Sequence, residues 1–143
     1  MIQIGKMFAE NGWLLRSGAA VGADSAFEKG CDMVGGAKEI FLPKKGHNGN
    51  QSPFYHAPEL AFQILDDLFP SARGRAPYIR DLLARNMQQV FGPELDDPVD
   101  LVICWMPTVV PKGGTRYAVI AAEKFDIPTI NLLHQETEVM LYL

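Results

Sequence analysis

The sequence has few cysteines and no long apolar run, and each shortage excludes a class of protein. Its 143 residues include two cysteines, Cys31 and Cys104, which are too far apart for a CxxC redox motif or a metal-binding pair. No stretch of about 18 apolar residues is present, and Glu10 and Asn11 fall where a signal peptide would be hydrophobic. We therefore expect a cytoplasmic protein that has no membrane partner and folds without disulfides.

Basic charge and the common catalytic motifs are also missing. The formal net charge is −4, which disfavours broad, non-specific binding to duplex nucleic acid but leaves room for a local basic pocket. Neither GxSxG nor the GxxxxGK[ST] phosphate loop occurs, and His47, His56 and His134 lack the spacing of a zinc site. We predict no metal site and no resident cofactor, and the sequence offers no evident catalytic pair.

The residues that are present predict one α/β domain spanning residues 1–143. Apolar segments at 13–18, 38–43, 100–107 and 127–132 are typical of strands, and they alternate with segments of helical periodicity. The almost wholly apolar segment 100–107 is typical of a strand buried on both faces. The alternation predicts a mostly parallel sheet between two layers of helices, a Rossmann-like three-layer αβα fold.

The unusual loops all follow predicted strands. They are SGAAVGAD at 17–24, KKGHNGN at 44–50, MPTVVPKGGT at 106–115 and NLLHQ at 131–135. Ligands of open parallel sheets bind beyond the carboxyl ends of the strands, so the loops predict a binding site at that edge.

Two of these loops are glycine-bearing turns between a strand and a helix. Small residues at 18–22 and at Gly113 and Gly114 let backbone N–H groups approach a ligand, and the following helix N-terminus favours an anion such as phosphate. Asp24 either caps its helix or hydrogen-bonds a sugar hydroxyl or a base. Lys112 can face an anion, and Thr115 can cap the second helix or donate a hydroxyl.

Other residues near this edge have two interpretations each. Arg85 beside Asn86 is either a rim residue of its helix or a clamp for phosphate or base. Trp105, at the end of the buried strand, is either part of the core or a surface on which a base stacks.

Three segments together resemble the SLOG superfamily, which includes the DprA/Smf and LOG proteins. They are SGAAVGADSAFEKG, LARNMQQVFGPELDDPVDLVICWMP and GGTRYAVIAAEKFDIPTINL, and the resemblance extends over nearly the whole chain. It is closest to the small stand-alone, DprA-like members of phages and bacteria. The resemblance implies a Rossmann-like domain that binds a nucleotide or a related molecule.

The resemblance leaves the activity open, because one fold hosts several functions. LOG proteins are phosphoribohydrolases that cleave nucleoside monophosphates with a PGGxGTxxE motif, whereas PKGGTRYA has no acid in the first helical turn. DprA proteins bind single-stranded DNA in a basic pocket, for which the candidates here are Lys44, Lys45, Arg73, Arg75 and Arg85. Other SLOG domains bind nucleotide-derived signals. Whether the protein is an enzyme is therefore undecided at this point.

The chain departs from the family at its start, where relatives usually have a strand that ends in a glycine-serine-arginine turn. Here the first predicted element is a helix. We expect a rearranged sheet, a strand borrowed from a partner, or a start missing from the natural gene. A homo-oligomer is the simplest repair, because an uncovered edge invites pairing with another chain.

We thus expect the protein to bind a nucleotide or nucleotide-sugar phosphate, with phosphoribohydrolase activity and single-stranded DNA binding as alternatives. Small residues would cradle the phosphate, Asp24 and Asn86 would orient the sugar or base, and Arg85 with Lys45 would neutralise charge. The predicted site residues are Ser17, Gly18, Ala19, Gly22, Asp24, Lys45, Arg85, Asn86, Trp105, Lys112, Gly113, Gly114 and Thr115.

Overall fold

The chain folds as alternating helices and parallel strands. A computed structural model describes residues 1–107 and 113–143. The helices are α1 (Ile2–Glu10), α2 (Ala23–Asp32), α3 (Glu59–Leu68), α4 (Pro77–Phe91), α5 (Thr115–Lys124) and α6 (Leu132–Gln135). The strands are β1 (Leu15–Ser17), β2 (Lys38–Leu42), β3 (Phe54–Tyr55), β4 (Val102–Cys104) and β5 (Thr129–Asn131). Short 3-10 helices span His47–Gly49, Pro70–Gly74 and Glu136–Tyr142.

The longest helix, α4, begins and ends where its sequence dictates. Pro77 occupies the first turn, where its missing N–H costs no hydrogen bond. Gly92 follows the last residue with a φ of 91°, a conformation that favours glycine. Because both ends of α4 are fixed in this way, Arg85 and Asn86 have defined positions along the helix and beside the strands.

The strands form two parallel sheets rather than the one continuous sheet that the sequence predicted. One has the order β1-β2-β3, and the other pairs β4 with β5. The Arg85 side chain contacts Gly18 just after β1, and the Asn86 side chain contacts Gly114 beyond β4. Since Arg85 and Asn86 are neighbours on α4, the carboxyl ends of β1 and β4 lie at the same edge.

Helices cover both faces of the strands, which confirms the predicted Rossmann-like α/β class. One hydrophobic cluster joins α3, α4 and α5, with Leu65, Met87 and Ala121 fully buried in it. A second joins α1 and α2 to β5 and the C-terminal segment through residues such as Phe8, Phe27 and Ile130. None of the described helices is both long and apolar enough to cross a membrane.

Two elements differ from the predictions. The two-residue strand β3 was not predicted, because so short a pairing leaves no periodicity in the sequence. The segment 131–135, predicted to be a loop, instead contains α6, and a 3-10 helix follows it. There Val139 is buried while Leu141 is exposed, so only one side of this segment packs against the core.

Candidate functional site

The loop between β1 and α2 is held closed by its own acidic residue. The Asp24 Oδ2 atom accepts hydrogen bonds from the backbone N–H groups of Gly18, at 3.1 Å, and Ala20, at 3.2 Å. Ala19 between them has a φ of 57°, and Gly22 has a φ of 106°, so the backbone turns sharply twice. Two of the amides that the sequence offered to a phosphate are thus already bonded to Asp24.

Several further donors of this loop lie at the start of α2. The Gly22 N–H donates to Ser25 Oγ at 3.1 Å, and the Ser25 N–H donates to the Ala20 carbonyl. Within the described residues, the backbone N–H groups of Ala23 and Asp24 have no acceptor, as is usual in the first turn of a helix. Any anion at this loop would therefore meet the first turn of α2 or the N–H groups of Ala19 and Val21, which have no acceptor among the described residues, rather than the amides of Gly18 and Ala20.

Arg85 is a buried cation beneath the same loop. Its residue is 8% exposed, and its Nη1 donates to the carbonyl of Gly18. Its Nε atom is buried and has no hydrogen-bond partner in the described part of the chain. Burial lowers the pKa of Arg85 from its usual value, while the negative charge of Asp24 opposes that effect. A buried guanidinium that is only partly bonded favours a nearby anion.

Gly18 is needed for this close approach. A Cβ atom at position 18 would lie 2.5 Å from Gln89 Nε2 and 3.1 Å from the Arg85 guanidinium. A side chain here would displace Gln89 and crowd Arg85, so the glycine serves the packing of these two side chains rather than direct access for a ligand.

The second glycine turn is linked to α4 by Asn86. The Asn86 Nδ2 atom donates to the Gly114 carbonyl at 3.1 Å, and its Oδ1 atom accepts from Gln89 at 3.1 Å. Gly113 has a φ of 67°, and Thr115 is exposed at the first position of α5. Lys112 lies outside the described residues.

The other predicted residues occupy the same edge in different ways. Ser17 is buried at the end of β1, and Trp105 is 46% exposed just after β4. The Lys45 ammonium group lies 5.9 Å from the centre of the Tyr55 ring, on the far side of β2. Trp105 therefore has a free surface, whereas Lys45 is near an aromatic ring of its own sheet.

Two residues that interact electrostatically with Arg85, His47 and Tyr78, were not among the predicted site residues. Burial lowers the pKa of His47, and the positive charges of Arg85 and Lys44 lower it further. The Tyr78 hydroxyl acts on the pKa of Arg85 in the opposite direction to burial and raises it. His47 belongs to the glycine-rich loop after β2. Its position after a strand was the only sign in the sequence that it lies near the other site residues.

A small cleft of about 240 Å³ lies beside the β1–α2 loop, between that loop and the segment after β2. Asn48 joins the two segments by donating to the Ala19 carbonyl at 2.9 Å. Glu28, which also lines the cleft, accepts from Lys38 at 2.8 Å and from Asn50 at 3.1 Å. The cleft thus has amide, carbonyl and carboxylate groups suited to hydroxyls or a base.

Asn131 holds the carboxyl end of β4 in place. Its Oδ1 accepts from the Met106 N–H, and its Nδ2 donates to the Met106 carbonyl, both at 3.0 Å. This double hydrogen bond fixes the backbone next to Trp105. Asn131 is buried and was not among the predicted residues.

Comparison of the chain with protein-family models, curated proteins and solved structures finds no match.

Proposed function

We propose that the protein binds a nucleotide or a nucleotide-sugar phosphate at the carboxyl edge of its strands. The phosphate would lie between the first turn of α2 and Arg85, and the sugar or base would extend toward Trp105 or the cleft beside Asn48.

The observation that carries this proposal is the environment of Arg85. Burying a cation is unfavourable unless its donors are satisfied, and the Nε atom lacks an acceptor among the described residues. Asp24 is nearby, but its Oδ2 atom is occupied by the amides of Gly18 and Ala20. An oxyanion ligand beside the loop would place a negative charge close to this buried guanidinium.

Backbone access at both glycine turns supports a phosphate. Cβ atoms added at Gly22, Gly113 or Gly114 would meet no heavy atom of residues 1–107 and 113–143 within 4 Å, which leaves room for a ligand beside these turns. The resemblance of the segments containing these turns to SLOG proteins favours a nucleotide over a simple inorganic anion. In this proposal the protein is a DprA-like member of that group.

The test is a thermal-shift panel of inorganic phosphate, ribose 5-phosphate, adenosine and the four common ribonucleoside monophosphates. A ligand at 100 times its Kd stabilises the folded state by about 2.7 kcal/mol. We expect the phosphorylated compounds, but not adenosine, to raise Tm. A panel without any shift would contradict the proposal.

Arg85→Met is the decisive variant, with Arg75→Met as the matched control because Arg75 is exposed. Arg85→Met should abolish the ligand-induced shift, and Arg75→Met should keep it. An unchanged shift in Arg85→Met would place the phosphate elsewhere.

The same samples distinguish binding from the two alternatives. Chromatography of the incubated monophosphates would detect free base if the protein were a phosphoribohydrolase. Titration with single-stranded oligonucleotides at increasing salt would reveal the steep salt dependence of phosphate-backbone contacts if it bound DNA. We expect neither base release nor salt-sensitive oligonucleotide binding.

A further inference from the structure

A cleft of about 430 Å³ separates the two sheets. Its side walls are β1 and β4, the edge strands that face each other. One face is covered by α1 and α2 through Phe8 and Phe27, and the other by α4 and α5 through Val90 and Ala118. The cleft therefore occupies the strand layer itself, between the two helix layers.

Both walls present backbone hydrogen-bonding groups to the cleft. The Leu15 N–H donates to Ala37 on the β2 side, and the Val102 N–H donates to Pro128 on the β5 side. Alternate residues of a parallel strand point their backbone groups to opposite neighbours, so those of Arg16 and Ile103 face the cleft. Within the described residues, no strand pairs with either of these edges.

The size of the cleft matches a short strand. One residue of a strand fills about 160 Å³, which is the product of a rise of about 3.3 Å, a distance between strands of about 4.8 Å and a distance between layers of about 10 Å. The cleft volume of about 430 Å³ thus corresponds to roughly three residues, the length of β1 and of β4.

The polarity of the cleft changes along its length. Its middle is largely apolar, Asp97 and Asp100 line the end at which β4 begins, and Asp24 with Gln89 lines the opposite end. Arg16 pairs with Asp97 at 2.7 Å, while Asp100 adds a second carboxylate. A strand parallel to β1 and β4 would start at this acidic end, where a basic residue is favoured.

We infer that this cleft binds an extended segment of another polypeptide as a strand parallel to both β1 and β4. The segment has three consecutive apolar residues, since it is covered on both faces, preceded by a lysine or arginine that meets Asp97 and Asp100. It joins the two sheets into one of six strands. This inference does not depend on the nucleotide site.

The C-terminal segment of a second copy fits the cleft less well. Its apolar residues 139–143 follow Glu136 and Glu138, which would bring carboxylates to the acidic end. Val139 is also buried in its own core, so donating the segment would disrupt the donor.

The test uses the synthetic peptide Lys-Val-Ile-Val-Ser-Gly and the Trp105→Phe variant, in which Trp13, a residue of the cleft wall, is the only tryptophan. We expect a saturable change in Trp13 fluorescence. The backbone amides of Arg16 and Ile103 should exchange with solvent in the free protein and become protected by the peptide.

Three controls examine the geometry. Ala118→Leu should narrow the cleft and abolish peptide binding, whereas Ala118→Ser should bind normally. Replacing the peptide's lysine by glutamine, or Asp100 by asparagine, should weaken binding about two- to fivefold, as expected for an exposed charge pair. A peptide of reversed sequence should bind more weakly, because it places its lysine at the other end, where Asp24 already accepts from the Gly18 and Ala20 amides and lies near the positive charge of Arg85.

Several results would overturn the inference. These are no binding, binding that Ala118→Leu leaves unchanged, or Arg16 and Ile103 amides that exchange equally with and without peptide. A concentration-dependent dimer whose Arg16 and Ile103 amides are protected without peptide would show that a second copy fills the cleft instead.

Discussion

Asp24 and Arg85 hold the peptide groups of Gly18 from opposite sides. The Asp24 carboxylate accepts the Gly18 N–H at 3.1 Å, and the Arg85 guanidinium donates to the Gly18 carbonyl. The Asp24 carboxylate and the Arg85 guanidinium are thus connected through Gly18 rather than by a direct salt bridge. This arrangement fixes the loop after β1 and leaves the Arg85 Nε atom without an acceptor in the described residues.

Asp24→Ala should therefore destabilise the protein. The substitution leaves the N–H groups of Gly18 and Ala20 without their acceptor and removes the charge that offsets Arg85. We expect the free energy of unfolding to fall by about 1–3 kcal/mol, measured by urea denaturation. Asp67→Ala, at an exposed position of α3, is the control and should change it little. Equal effects of the two variants would mean that the loop does not depend on Asp24.

The Asp24 arrangement also shows what the sequence could and could not predict. The small residues and the acid correctly indicated a tight turn before a helix, because these residue types have few other uses after a strand. Which atoms the acid would bond was left open, since capping and ligand binding require the same residue. Arg85 and Gly18 are 67 positions apart in the sequence and meet only in the folded chain. The folded chain is therefore needed to show that the acid closes the loop.

The division of the sheet was not predictable for a related reason. The apolar segment 100–107 correctly predicted a strand covered on both faces, and β4 lies within it. Periodicity reports which faces of a strand are covered, but it carries no information about what pairs with its edges. The open edges at Arg16 and Ile103 therefore became visible only in three dimensions.

The two glycines before α5 should respond differently to alanine. Gly114 has a φ of −64°, and a Cβ there would meet no atom of the described residues, so Gly114→Ala should leave stability unchanged. Gly113 has a φ of 67°, and Gly113→Ala should cost about 1–2 kcal/mol because the left-handed region is unfavourable for alanine. Urea denaturation tests both expectations.

If a phosphate approaches the backbone at Gly114, Gly114→Ala should also weaken nucleotide binding without loss of stability. Calorimetric titration of the variant with the best ligand of the panel measures this. Wild-type affinity in Gly114→Ala would mean that the ligand stays away from the start of α5.

Asn131→Asp should destabilise the protein more at neutral than at acidic pH. An ionised aspartate cannot donate to the Met106 carbonyl, so one of the two hydrogen bonds becomes a repulsion between oxygens. Burial raises the pKa of such a carboxyl above its unfolded value, so stability is lost as the pH rises through that folded pKa. Urea denaturation at pH 5 and pH 8 (about one unit above and well above a normal carboxyl pKa) measures the difference. Asn131→Ala, which has no charge at this position, should show the same deficit at both values.

His47 should make stability pH-dependent below neutrality. Its pKa is lowered by burial and by the charges of Arg85 and Lys44, so the folded protein binds a proton less readily than the unfolded chain. The stabilisation by neutral His47 is therefore complete above its ordinary pKa of about 6.5 and is lost as the pH falls through that value toward the lowered one. His47→Gln should flatten this loss, whereas His134→Gln, at an exposed position of α6, should not.

A bound phosphate would offset the charge of Arg85 and raise the pKa of His47, so saturating phosphate should also flatten the loss in the wild-type protein. Parallel pH profiles for the wild-type protein and both variants would mean that folding does not change the pKa of His47, which contradicts the prediction.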